Sequence, residues 1–370
     1  MVVKWIVGDL LTGQRIQTVP VISGTWRDTL NDAGALSCTV TLRNEQVRRL
    51  GLQESAKPGK AFLAAIEGDL VLQAGPIWIH DFDNDTGRLT IQASGMWSYF
   101  DHRVLIPVLA GFLPSSPSAD TNLTSSLQGI ARTLVAQARS HTGGAVPVIL
   151  PAAIAGTNVR NYGGGDLGIV GERLRELTQV ENGPDIRFQP RLRPDKTGIE
   201  WVMQIGTPTQ PLLFSQVRPT FTIGLDGSSV SRLRIKADGT RLAGRGFASG
   251  GRAADDVLVA VSEDATLGVQ GFPLLEVVDS SHATVSRIET LQRYAAEVTT
   301  LGRRPLETWS VRHETAQRPF LSGFTVGDFA KVRVRNNLYL ENRDHSMRII
   351  SRSGDNRGRS VDLELQPEVI

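Results

Sequence analysis

Apolar and polar residues alternate along much of the chain. Leu36, Cys38, Val40 and Leu42 take one phase, and Ser37, Thr39, Thr41 and Arg43 take the other. A period of two marks a half-buried strand. Cys38 falls on the apolar side, where a small core residue belongs. The pattern predicts a short helix from Asn44 to Leu52. Strands follow at Ala61–Ile66, Val71–Gln73, Ile77–Phe82 and Leu89–Ala93. Pro107, Pro114 and Pro117, with Ser115, Ser116 and Ser118, interrupt the pattern and read as a linker.

The period then changes. Leu123, Leu127, Ile130, Leu134 and Val135 recur at helical spacing. A second helix is expected to carry Ile169, Val170, Leu174 and Leu177, with Asp166 as its cap and Gly183-Pro184 as its end. Strands are predicted at Ile186–Pro190 and Ile199–Ile205. From about Thr207 the alternation returns, near Phe221–Ile223, Val230–Lys236 and Thr240–Arg245. Asp238-Gly239 reads as a hairpin turn between the last two. Gly244 to Gly251 reads as a glycine-rich joint. An amphipathic helix is expected from about Ser281 to Leu301, with Val285, Ile288, Leu291, Ala295 and Val298 as its stripe. Leu306 to Pro367 is β again.

Two of the β stretches echo each other. Gly59 to Ala93 and Gly327 to Gln366 each open with Gly and an apolar strand. Each continues with a short strand (Leu70–Leu72; Leu338–Leu340) and a third strand (Ile77–Ile79; Met347–Ile350). Each then turns through Gly-Arg (Gly87-Arg88; Gly358-Arg359) into a last alternating strand. If one chain holds two copies of one unit, three chains make a ring of six-fold pseudo-symmetry.

Composition narrows the classes. The 370 residues suffice for two or more domains. The formal net charge of +2 gives no bulk attraction to nucleic acid. Cys38 is the single cysteine, so neither an intrachain disulfide nor a cysteine metal cluster is possible. The apolar N-terminus is too brief for a signal peptide, and no run approaches a membrane span. Synthesis in a reducing cytoplasm is expected.

Candidate chemistry is sparse. Asp81, Asp83 and Asp85 match the first positions of a calcium loop, but Thr86 stands where its glycine belongs and Gln92 where its glutamate belongs. A solvated turn is the expectation. Gly163-Gly164-Gly165-Asp166 lacks the Lys and Ser or Thr of a phosphate loop and reads as a joint with a cap. His80, His102, His141, His282, His313 and His345 form no zinc-type pair. No nucleophile elbow occurs. Asp255-Asp256 and Glu263-Asp264 read as solvated loop charges. The tryptophans 5, 26, 78, 97, 201 and 309 are scattered, as core or interface packing would have them. No catalytic, cofactor-binding or metal residue is assigned, and an enzyme is not expected.

Several stretches together resemble a known family. They are the N-terminal WIVGDLLTGQRIQTVPVISGTWRDTLNDAGALSCTVTL, the Gly183-Pro184-Asp185 step into IRFQP, and RIETLQRYAAEVTTLGRRPLETWSV. FTVGDFAKVRV and the closing MRIISRSGDN and VDLELQP complete them. The whole chain is similar to the tail hub, or baseplate hub, proteins of long-tailed bacteriophages, often called minor tail proteins in siphophages of actinobacterial hosts.

The resemblance implies an α+β, predominantly β chain. Two barrel-like tube domains would span 1–106 and 207–247 with 306–370. An α/β domain would span 107–206, and a small mixed domain with a long helix would be inserted at 248–305. It implies a structural virion protein and no cofactor. This would be a homotrimer at the tail tip that adapts the six-fold tube to the three-fold tip. Its partners would be a hexamer of the distal tail protein, the tape-measure protein and other tip or fibre proteins, with DNA only in transit during ejection. No extension follows Ile370, so wall-cleaving activity is expected from another subunit. The alternative is a peripheral receptor- or glycan-binding tail protein. A cell-wall hydrolase is the least supported reading.

Overall fold

The computed structural model describes residues 3–108, 113–180, 182–224, 228–253, 256–282, 285 and 287–368. Strands dominate. The N-terminal part runs β1 (Lys4–Asp9), β2 (Arg15–Val19), β3 (Ser23–Thr29), β4 (Ala35–Thr41), the short helices α1 (Glu45–Arg48) and α2 (Leu52–Ser55), β5 (Ala61–Glu67), β6 (Leu70–Asp83), β7 (Arg88–Ala93) and α3 (Trp97–Phe100). The alternation in β4 is realised: Leu36, Cys38 and Val40 are buried between half-buried neighbours. Burial pushes the Cys38 thiol up to about 12. It is therefore expected to ignore an aromatic disulfide reagent at neutral pH and to react fully once denaturant is added. Rapid labelling of the native chain would contradict this.

The predicted helix over Asn44 to Leu52 is instead two separate turns. Asn44 caps the first by accepting from the Gln46 amide, and Gly51 sits at φ +58 before the second. The strands expected at Val71–Gln73 and Ile77–Phe82 are one long strand, β6. Its first half pairs with β5 (Phe62 opposite Pro76) and its second half with β7 (Phe82 opposite Leu89).

The middle part holds β8 (Thr121–Ser125), α4 (Leu127–Arg139), β9 (Val148–Ile149), β10 (Asn158–Tyr162), α5 (Val170–Thr178), β11 (Ile186–Leu192) and β12 (Ile199–Ile205). Ser126 caps α4 by accepting from the Gly129 amide at 3.0 Å, and Ile130, Leu134 and Val135 are fully buried. Leu123 is not on this helix: it lies in β8, paired with β10 ahead of the cap. Asp166 does not cap α5. It ends a 3-10 turn, and Leu167 follows in the left-handed region before the helix starts.

After β13 (Thr220–Ile223) and β14 (Val230–Asp238) the chain enters β15 (Arg245–Ala253), β16 (Asp256–Glu263), α6 (Thr266–Val269), β17 (Glu276–His282) and α7 (Ile288–Leu301). It returns through β18 (Leu306–Glu314), β19 (Phe329–Val334), β20 (Asp344–Asp355) and β21 (Ser360–Pro367). Two compact units result. One holds Met1–Arg175, Pro184–Leu233 and Ser310–Ile370; the other holds Glu176–Gly183 and Arg234–Trp309.

In the smaller unit, β16, β15 and β17 form a sheet against α7. Three expectations fail here. Asp238-Gly239 makes no hairpin, because β14 pairs with β18 and β15 belongs to another sheet. The glycine-rich joint is strand β15: a Cβ at Gly246 would lie 2.8 Å from Val298 Cγ1, and one at Gly250 would lie 2.7 Å from Leu291 Cδ1. The glycines let the helix lie close on the strand. Finally, α7 begins at Ile288 because Ser281 still belongs to β17, which runs parallel to β15.

The larger unit is organised by one sheet of 13 strands, whose order runs β14-β18-β21-β20-β3-β4-β7-β6-β5-β1-β2, with β19 also beside β20 and β13 beside β19. The expectation of a predominantly β chain holds. Both echoing stretches lie in this one sheet, which closes into no barrel among the described residues. The echo itself takes physical form as two antiparallel meanders, β5-β6-β7 and β19-β20-β21. In each, a long middle strand pairs with both neighbours and carries a register shift. The β3–β4 hairpin joins them, through β20 on one side and β7 on the other. The short strand expected at Leu338–Leu340 does not form; that segment is an exposed turn.

Candidate assembly surface

The strands that join the meanders are held by buried charge. In β3, Gly24, Trp26 and Asp28 occupy the inward phase. Asp28 accepts from Arg187 Nη2 at 2.8 Å and from Arg352 Nε at 3.2 Å. All three are at most 5% exposed, and Arg352 also donates to the Phe324 carbonyl at 3.1 Å. Burial pulls the Arg352 pKa down, and the Asp28 charge opposes that. One carboxylate therefore fastens β3, β11 and β20.

Asp185 makes a second clasp. It accepts from the Leu213 amide at 2.7 Å, from Asn31 Nδ2 at 3.0 Å and from Arg348 Nη2. Asp328 makes a third, accepting from the Ser215 and Thr325 amides. The sequence reading missed these residues. Their signal was present: Asp28 stands in the apolar phase of an alternating strand, where a charge needs a partner.

Along β3, β20 and β21 the sheet presents a groove of about 400 Å³ whose lining includes Thr25, Trp26, Arg27, Arg312, Asp355 and Asp362. Its cations are matched. Arg312 makes two 2.7 Å bonds to Asp362, which raise the Arg312 pKa, and Arg27 meets Glu364 at 2.6 Å. No nucleophile and base meet there. The surface is a face of charges paired within the chain. At the end of the sheet, β14 carries Arg232, Arg234 and Lys236 as exposed residues. Charge on an edge strand resists non-specific pairing.

The residues singled out from sequence fall elsewhere. Asp81, Asp83 and Asp85 lie at the exposed β6–β7 turn. Asp83 is committed to that turn, accepting from Thr86 Oγ1 at 2.7 Å and from the Asp85 amide at 2.9 Å, and these bonds lower its pKa. At Gly164 the amide already donates to Asp120 Oδ1 at 2.9 Å, and a Cβ there would strike Ala119. Asp255 lies outside the described residues. Glu263 pairs with Arg245, and Asp264 with Arg303. Among the described residues, no group of three or more His, Cys, Asp or Glu is placed to hold a metal. Five of the six tryptophans are at most 3% exposed. Two of these anchor polar ends in the interior: Trp201 donates to the Ala74 carbonyl at 3.0 Å and Trp97 to the Gly171 carbonyl at 3.2 Å.

His313 is the most enclosed of the described histidine side chains. It is fully buried, with Phe221 and Phe324 at 5.2 and 6.0 Å, and its Nε2 bonds the Pro319 carbonyl at 2.7 Å. Burial holds its pKa below the ordinary 6.5. The folded chain thus keeps the ring neutral while the unfolded chain takes up a proton as pH falls through 6.5. This contribution to stability is present above that pH and lost below it. His313→Gln is expected to flatten the fall in denaturant midpoint between about pH 7 and about pH 5. An unchanged pH dependence in the variant would refute this.

No protein-family model matches the sequence, and no curated protein matches it either. Solved structures do match over nearly the whole chain. A tail protein from Neisseria meningitidis MC58 is 14% identical with a TM-score of 0.57, over 99% of this chain and 96% of that one. The 43 kDa tail protein of prophage MuSo2 from Shewanella oneidensis is 13% identical with a TM-score of 0.59, over 98% of each chain. The chain has the fold of these tail proteins. The prophage tail protein gp18 from Listeria monocytogenes EGD-e is similar at 12% identity and a TM-score of 0.50, over 99% of this chain and 94% of that one. The likeness takes in both meanders and the segments between them, and reaches nearly end to end in both directions.

Proposed function

We propose that this chain is a structural, non-enzymatic subunit of a phage tail. Three copies would form a ring at the tail tip, joining the six-fold tube to the three-fold tip around the channel for tape-measure protein and DNA. The carrying observation is the pair of antiparallel meanders joined through β3–β4 in one sheet, within a fold shared end to end with tail proteins. Two like units per chain and three chains per ring give six like positions, which is what docking on a hexamer requires. In this reading, 1–106 and 207–247 with 306–370 are the two tube domains, 107–206 lies between them in sequence, and 248–305 is inserted in the second. The paired-charge face and its matched cations support protein contacts over catalysis. Burial of five tryptophans takes away the aromatic platform that a glycan-binding role would use.

The test is mass measurement of the purified chain, with and without the hexameric distal tail protein, and imaging of assembled tails. A three-fold ring on the tail axis is the expected result. A chain that stays monomeric with that partner and is found nowhere in the virion would overturn the proposal.

A further inference from the structure

The turn between β19 and β20 displays apolar side chains where most proteins hide them. Leu338 is 107% exposed and Tyr339 is 78% exposed. The turn is nonetheless well built. Asn337 Oδ1 accepts from the amides of Tyr339 and Leu340, both at 2.9 Å, and Asn342 Oδ1 accepts from the Asn336 amide at 2.8 Å. The side-chain amides thus hold the backbone so that the Leu338 and Tyr339 side chains project outward without a collapse to bury them.

A basic collar stands at the base of the turn. Lys331, Arg333 and Arg335 lie on its β19 side, and Arg343 on its β20 side. The nearby carboxylates are Glu341 and Asp344. Asp344 is shared among three cations, at 3.7 Å from Lys331, 3.3 Å from Arg333 and 3.4 Å from Arg335. The Arg333 hydrogen bond, with the charge of the three cations, holds the Asp344 carboxyl below its ordinary pKa, and the cluster still keeps positive charge in excess.

We propose that this turn is a docking tip for an anionic lipid surface. Two projecting apolar side chains fall far short of the roughly 800 Å² per partner of a stable protein interface. They suit shallow insertion at the boundary between headgroups and acyl chains, where tyrosine is favoured and arginine stems reach back to phosphate. Apolar insertion and a basic cluster are the two signals that together give reversible membrane binding. This inference is independent of the ring reading, because the isolated chain can be tested on vesicles whatever its assembly.

The experiment is flotation of the full chain with vesicles of phosphatidylcholine alone, or of equal parts phosphatidylcholine and phosphatidylglycerol. Binding is expected on the anionic vesicles and not on the neutral ones, weakening as salt rises. Leu338→Ser with Tyr339→Ser is expected to reduce it roughly tenfold, and Arg333→Gln with Arg335→Gln by a similar factor. The serine pair removes only exposed groups, and circular dichroism checks that the variant folds. Tyr339→Trp should shift its emission to the blue on anionic vesicles only. No flotation with anionic vesicles, equal flotation with neutral ones, or binding that survives the double serine change would each overturn the proposal.

Discussion

Replacing Asp28 with alanine is expected to lower the unfolding free energy by about 3–5 kcal/mol, because it strands two buried guanidinium groups. Asp28 is the shared acceptor of Arg187 and Arg352. The three charges are unequal in consequence. Without Arg187, the remaining pair is one cation and one carboxylate, and the loss should be smaller. Without Asp28, burial acts on Arg187 and Arg352 with no carboxylate between them. Asp28→Asn keeps the shape without the charge and should fall near the alanine variant. Denaturant midpoints of Asp28→Ala, Asp28→Asn and Arg187→Met give the order. If Asp28→Ala costs no more than Arg187→Met, the carboxylate is not the centre of the clasp.

The second large effect belongs to the smaller unit. Gly246→Val is expected to cost about 3 kcal/mol or more there, since overpacking against a helix forces the backbone apart. A Cβ at position 246 would already lie 2.9 Å from the Ala295 carbonyl oxygen, which cannot rotate away as a side chain can. Hydrogen exchange should quicken in β15, β16, β17 and α7 while β3, β4 and β20 keep their protection. Unchanged protection in α7 would show that the helix has room the geometry denies.

These two sites mark where sequence reading succeeded and where it stopped. The strand at Leu36 to Leu42 was legible because one face is core and the other polar, so period two survives in the residue types. Strand β15 was illegible because its inward residues, Gly246, Ala248 and Gly250, are chosen for small size under α7. Small residues carry no hydrophobic period. Asp238-Gly239 has turn chemistry, but β14 takes β18 as its partner, and a pairing so distant in sequence leaves no local trace. The same holds for the candidate surface. Asp28 out of phase in β3 was a readable oddity, but nothing near it names Arg187 or Arg352 as its partners. The echo was legible as an order of strands and turns, and failed where Leu70–Leu72 and Ile77–Ile79 run on as one strand and at Leu338–Leu340, where no strand forms.

The β3–β20 pairing has a consequence for how the chain is made. Asp28 and Arg352 are 324 residues apart, so β3 waits for its neighbour until nearly all of the protein has left the ribosome. At roughly 10 residues per second that delay is about half a minute. During it, the β3–β4 hairpin shows an open edge with a carboxylate in its apolar phase. Until Arg187 has been made, 159 residues after Asp28, the unpaired carboxylate acts as a gatekeeper, since another chain adding at that edge would have to desolvate a charge without an arginine to meet it.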